Sequence, residues 1–292
     1  MRKIVLLLVF IFAIIFGLGT WKAIDFLFIP PEPGAEEVVV FDVLPDSSFQ
    51  TVSDNLLVKG LVKNPLFFKI LARITGVASG VRVGEYGLNK GMTPYEILNQ
   101  ITSGKSIQYS LTFQEGLNMF EIAQIIEDKG LGKRSEFLEL CKDPKFVEAL
   151  LNNKEESLEG YLFPDTYLVT KFTGVKKLIE LMVTKFMEKY QEVTLNSKLK
   201  MNRHDLVTLA SIIEKETGAP EERPMISSVF HNRLNKKMRL QSDPTIIYGI
   251  MDLNGGQSVQ NISKKDIITK TRYNTYKVPA LPFGPISNPG KE

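Results

Sequence analysis

The chain has 292 residues, 43% hydrophobic and 24% charged, enough for one large core or two to three smaller ones. A net charge of +3 without a dense Lys/Arg stripe excludes a phosphate-backbone binder, so no nucleic-acid partner is expected. One cysteine, Cys141, and two histidines, His204 and His231, exclude an intramolecular disulfide and a cysteine or multi-histidine metal site, and neither a metal nor an organic cofactor is expected.

In chain order, a tail of residues 1–3 precedes the uncharged run Ile4 to Trp21, and residues 4–24 are expected to form a single transmembrane helix. Arg2 and Lys3 before it, with Glu32, Glu36 and Glu37 after it, place the N-terminus inside the cytoplasmic membrane and the rest outside. Gly17-Leu18-Gly19 offers the competing reading of a cleaved signal peptide, against which stand the length of the run and the interfacial character of Trp21. Residues 25–37, with Pro30-Pro31-Glu32-Pro33-Gly34-Ala35, read as a stiff linker lifting the remainder off the membrane.

A β-branched strand is expected at Val38 to Val43. Val52, Leu56, Lys59-Gly60-Leu61, Lys63 and Phe67 then recur 70 residues later as Ile122, Ile126, Lys129-Gly130-Leu131, Lys133 and Phe137. The recurrence predicts an internal duplication, each copy a short amphipathic helix stopped at a glycine and a second helix begun near Asn64-Pro65 or Ser135. Between the copies, Val83 to Leu88 suggests a strand, and Thr93-Pro94 caps a helix. Lys171 to Tyr190 has the periodicity of a helix with a core-facing stripe.

The chemistry gathers after Asn202. Asp205 to Thr217 reads as a helix stopped by Gly218 and Pro220, with Leu206, Leu209, Ala210 and Ile213 as its apolar stripe and Glu214 and Glu216 on opposite borders. A carboxyl group at the edge of a buried stripe loses hydration, which disfavours its charged form and suits a general acid. Spacing does not choose between the two glutamates, and both could be solvated partners of Lys215 or Arg223. Ser227 to Leu234 follows as a helix, then Met238 to Thr245 as a short strand and turn whose Gln241, Ser242, Asp243 and Thr245 could grip sugar hydroxyls or cap a turn. From Tyr273 to Gly290 the Pro and Gly content predicts an ordered loop along a cleft, with Tyr273, Tyr276 and Phe283 as aromatic surfaces.

Leu158-Glu159-Gly160-Tyr161-Leu162-Phe163-Pro164-Asp165-Thr166-Tyr167, Ala210 to Thr217, Val229 to Leu234, Leu240 to Gly249, Tyr273-Asn274-Thr275-Tyr276 and Leu281 to Gly290, in this order, closely resemble the endolytic murein transglycosylases of the YceG-like family. The resemblance implies an α+β fold with a LysM-like α/β subdomain over residues 38–110, a type associated with N-acetylglucosamine-containing glycans, and a catalytic domain over 111–292 with the catalytic glutamate on a helix. It selects Glu214, the first glutamate of Glu-Lys-Glu-Thr, as catalytic. Gln241, Ser242, Asp243, Thr245, Asn232, Glu159, Asp165, Tyr273 and Asn274 become substrate-binding or supporting candidates, and His231 is not assigned. The family continues past Asn-Pro-Gly with a short helix and a hairpin-like segment, so a truncated C-terminal end is expected at Lys291-Glu292.

The implied reaction is internal cleavage of the β-1,4 bond between N-acetylmuramic acid and N-acetylglucosamine in peptidoglycan strands, leaving 1,6-anhydro ends and limiting nascent strands, beside a peptidoglycan synthase as partner. A two-carboxylate glycoside hydrolase using Asp243 and a non-catalytic, membrane-tethered glycan-binding scaffold are the alternatives.

Overall fold

The computed structural model describes residues 2–77, 79–195, 200–259 and 261–292; Met1, at the head of the expected tail, lies outside them. The fold is mixed α+β and divides into two units, residues 1–109 with 169–172, and residues 110–168 with 173–292.

The first unit begins with α1 (Arg2–Phe28), the one described helix long and apolar enough to cross a membrane. It continues with β1 (Val39–Val43), α2 (Phe49–Val58), α3 (Pro65–Ile74), β2 (Gly84–Leu88) and α4 (Pro94–Ser103). β1 and β2 pair antiparallel, with Phe41 opposite Tyr86 and Asp42 opposite Glu85. Phe41, Leu56, Phe68, Tyr86, Leu88 and Ile97 fill the core beneath that ribbon.

Two sequence expectations change in this unit. The apolar helix runs on to Phe28, and Phe26 packs into the unit's core against Phe67, with ring centroids 5.4 Å apart. Residues 30–35 are also pinned: the Glu32 amide donates to the Lys90 carbonyl at 3.0 Å, and Lys90 Nζ meets Glu32 Oε1 at 2.7 Å. Residues 25–37 are thus partly helix and partly a strap on the first unit, because an aromatic ring in the last helical turn finds a core to enter. They are not a free-standing linker.

The second unit comprises most of β3 (Tyr109–Thr112), then α5 (Met119–Asp128), α6 (Arg134–Lys142), α7 (Pro144–Leu151), β4 (Thr166–Val169), which pairs with β3, α8 (Val175–Thr194), α9 (Arg203–Glu216), α10 (Arg223–Asn235), α11 (Asp243–Leu253) and α12 (Lys264–Ile268). α8 starts at Val175, four residues later than its apolar pattern suggests, with Gly174 as its N-cap.

The duplication is visible bond by bond. The Lys59, Gly60 and Leu61 amides donate to the carbonyls of Asn55, Leu57 and Leu56, and 70 residues on the Lys129, Gly130 and Leu131 amides donate to Ile125, Glu127 and Ile126. Gly60 and Gly130 adopt positive φ, 70° and 68°, as a helix-ending glycine must to close that motif. The turn before the first helix repeats as well, left-handed at Asp46 in one copy and at Gly116 in the other. Each copy therefore runs strand, left-handed turn, capped helix, glycine stop, helix and returning strand, with α7 added in the second.

Candidate active site

α9 is capped by Asn202, whose side chain accepts from the Asp205 amide, and it ends at the extended Thr217. The helix is sandwiched, which revises its expected face. Val207, Thr208, Leu209, Ser211 and Ile212 are buried, whereas Leu206, Ala210 and Ile213 border a cleft of about 460 Å³. Small hydroxyl residues explain the inversion: Ser211 Oγ donates to the Thr208 carbonyl and accepts the Ile286 amide, while the Thr208 hydroxyl is buried without a hydrogen-bond partner among the described residues. Three of the four residues expected to enter the core instead form an apolar wall.

Glu214 lies at the end of that wall, its side chain only 9% exposed. Arg223, from the first turn of α10, donates through Nη2 to Glu214 Oε1 at 2.9 Å and contacts Glu115 Oε2 at 3.3 Å. The Gly290 amide donates to Glu214 Oε2 at 3.1 Å. Glycine suits that position because a Cβ there would collide with the Glu115 carboxylate. Arg223 Nε is buried without a hydrogen-bond partner among the described residues. Lys215 Nζ, beside the acid in sequence, reaches the Gly116 carbonyl at 3.1 Å. Both oxygens of Glu214 are thus oriented, one by a guanidinium and one by a backbone N–H, in a concave site with apolar walls. This arrangement holds a carboxyl group in one place and admits a ligand with both apolar and polar faces.

The other candidates fall elsewhere. Ser242 is buried and its Oγ donates to Glu216, so Glu216 holds the start of α11 while Glu214 borders the cleft. Residues 238–242 form no strand, and Asp243-Pro244 opens α11, since proline at the first helical turn supplies no amide that the helix needs. Asp243 accepts from the Tyr276 hydroxyl at 2.7 Å. Thr245 and Thr275 hydrogen-bond each other and the Ser242 backbone in the interior. Gln241 is exposed with a positive φ of 51°, a strained conformation for a residue with a side chain. Asn232 is exposed on α10 and does not line the cleft.

Glu159 is 1% exposed and holds three segments together. It accepts the Met119 amide at the start of α5, the Tyr248 hydroxyl at 2.8 Å and Asn288 Nδ2 at 3.0 Å. Burial pushes its carboxyl up to about 7, against the lowering effect of the Met119 amide and the Tyr248 hydroxyl. Asn288 in turn accepts the Leu162 amide and the Gly116 amide, so this buried carboxyl fixes the strand of chain that ends at Gly290. Asp165 immediately precedes β4 and is paired with Lys185 at 3.1 Å; burial raises its carboxyl, but the Thr166 amide and Lys185 outweigh that and hold it low. Tyr273 is buried edge-on against Tyr248, and the Asn274 amide group donates to the Ile267 and Thr269 carbonyls. Residues 273–290 are, as expected, without helix or strand.

Sequence reasoning therefore missed Glu115 and the Gly290 amide, and it named Arg223 only as a possible solvated partner. Their signal is spatial: Glu115 lies 99 positions before Glu214 and Gly290 lies 76 after it, and no local pattern joins them.

The YceG-like family matches residues 41–292. The chain belongs to the YceG-like family. An endolytic murein transglycosylase of Bacillus subtilis is 33% identical over 279 residues, 89% of this chain and 75% of that protein. An endolytic murein transglycosylase of Streptococcus pneumoniae is 30% identical over 89% of this chain, which spans about half, 52%, of that longer protein. The crystal structure of a yceG-like protein from Listeria monocytogenes superposes with a TM-score of 0.56 at 32% identity, covering 87% of this YceG-like chain and 88% of the other.

Proposed function

We propose that this YceG-like chain is an endolytic murein transglycosylase with Glu214 as its catalytic acid and base. The observation that carries the reading is the double anchoring of Glu214, by Arg223 and the Gly290 amide, at the end of an apolar-walled cleft, within a family whose relatives bear that name. Protonated Glu214 donates to the glycosidic oxygen; as carboxylate it then takes the proton from the muramic C6 hydroxyl while that oxygen closes on C1. Because the nucleophile belongs to the sugar itself, effective molarity replaces an activated water and a single carboxyl suffices. Arg223 pairs with the carboxylate form that the second step uses. Asp243, the second carboxylate of the hydrolase alternative, is bound by Tyr276 and does not line this cleft, which favours the transglycosylase.

Residues 38–110 act as the LysM-like subdomain and 111–292 as the catalytic domain. Gln241, Asp243, Asn232 and the part-exposed Asp165 are the candidates that reach solvent and can touch glycan, while Ser242, Thr245, Glu159, Tyr273 and Asn274 support the fold around them. α1 is a retained single-pass anchor, N-terminus inside and the catalytic unit outside the cytoplasmic membrane, close to the synthases that supply nascent strands.

The test is mass spectrometry of glycan strands treated with the full chain in vesicles and with Glu214→Gln. Internal fragments with 1,6-anhydromuramic ends, lost in the variant, are expected. Reducing ends would make the protein a hydrolase, and uncleaved strands would leave only a binding role.

A further inference from the structure

We propose that the exposed apolar stripe Leu66, Ile70 and Ile74 on α3 is a membrane-contact surface, bedding the first unit into the lipid headgroup layer beside α1. The inference rests on the reading of α1 as a retained anchor. α3 is apolar on more of its circumference than its core requires. Phe68, Leu71 and Ala72 are buried, yet Leu66, Ile70 and Ile74 are 60%, 41% and 79% exposed. At about 100° per residue the three cover an arc of roughly 80° that ends beside Phe67. Phe67 is the ring that meets Phe26 of α1. The unpartnered stripe therefore flanks the anchor itself.

Depth follows from helix geometry. If residues 4–24 fill the hydrocarbon, Phe26, two residues further on, stands about 3 Å beyond its boundary along the axis. The headgroup layer on each face is about 5–8 Å thick, so the Phe26–Phe67 contact is at headgroup level and the stripe beside it meets the boundary between headgroups and acyl chains. Charge agrees with this placement. α3 carries Lys69 and Arg73 and no acidic residue, Lys63 is exposed just before it, and anionic lipid headgroups attract such a basic rim. A helix with an apolar stripe edged by Lys and Arg, fastened sideways to a lipid-facing helix, fits a bilayer surface without any further partner. A second copy or another protein would have to displace lipid from the flank of the anchor to reach it.

The test uses the full chain in phosphatidylethanolamine–phosphatidylglycerol vesicles, with spin labels placed singly through Leu66→Cys, Ile70→Cys and Ile74→Cys. Cys141 is fully buried, so the introduced thiol is the reactive one. A fourth label, through Ile15→Cys in α1, reports on the anchor. Collision with lipid-soluble oxygen exceeding collision with a water-soluble nickel chelate at 70 and 74, as at 15, is the expected result. The opposite order at 70 and 74, with oxygen dominant at 15, overturns the contact surface and leaves the anchor intact. Nickel dominant at all positions overturns both. Spin–spin broadening at 70 that disappears on dilution with unlabelled protein would assign the stripe to a second copy and overturn the proposal.

Discussion

Arg223 holds Glu214 in place while facing a second carboxylate, Glu115, and nearly all of its side chain is out of water. Removing one partner of such a pair leaves an uncompensated charge. Arg223→Gln is expected to lower kcat by about 100-fold, the scale of losing one preorganised donor, with a smaller change in KM. Arg223→Lys keeps the charge but not the planar fork and should recover only part of the rate. Equal kcat in all three proteins, measured by release of anhydro ends, would confine Arg223 to a structural role. Glu159 makes a pH prediction of a different kind. Its folded-state value, about 7, lies above its ordinary 4.5, so its stabilising contribution is full below about 4.5 and is lost as pH rises to about 7. At 1.36 kcal/mol per pH unit between the two, the loss is about 3 kcal/mol. Urea midpoints at pH 5 and pH 8 should differ more in the native protein than in Glu159→Gln; the same difference in both would assign the slope to other groups. The sequence motif singled out Glu214 and placed Glu159 among the substrate-binding or supporting candidates. It could not foresee that Glu159 is interior, because glutamate is rarely buried without a cation and its partners are two amide groups and a tyrosine hydroxyl.

At the scale of elements, local chemistry was legible and orientation was not. Asn64, Thr93 and Gly60 announce their helices, since caps and glycine stops act within four residues. Asp243-Pro244 failed as a signal because the same pair can close a turn or open a helix, and only the packing of Thr245, Ile246 and Tyr248 decides. The face of α9 was misjudged because apolar side chains lie on more than one side and the small side chains of Thr208 and Ser211 fill part of the interior. The β1–β2 ribbon carries a further consequence. Asp42 and Glu85 stand directly opposite each other, each with a buried oxygen lacking a hydrogen-bond partner among the described residues, and Lys171 lies 2.9 Å from one and 3.7 Å from the other. Like charges in cross-strand register repel unless a cation is shared. Lys171→Met should lower the unfolding midpoint of the first unit, and adding Asp42→Asn should restore much of it. A double variant as unstable as the single one would show that the lysine acts through something other than this pair.

For the whole molecule, the sequence reads as an apolar start and a folded remainder, but the boundary is softer than composition implies. Hydropathy ends the span near residue 24, while packing carries the helix to Phe28 and recruits Phe26 into a core. Phe26→Ala should destabilise the first unit by about 3 kcal/mol, the low end for emptying a buried aromatic site. Limited proteolysis of the full chain in vesicles checks this: cleavage between residues 29 and 38 should accelerate, and an unchanged rate would mean the ring adds little. The duplication has a consequence at the same scale. One turn, left-handed at Asp46 in one copy and at Gly116 in the other, stands in both units, and only the second touches the acid and its neighbours through Glu115 and Gly116. The molecule thus carries its own blank: Pro45 to Ser48 repeats the left-handed second residue and the helix cap of Glu115 to Asn118 without the cleft's chemistry, an internal template for separating what that loop's turn contributes from what its atoms do.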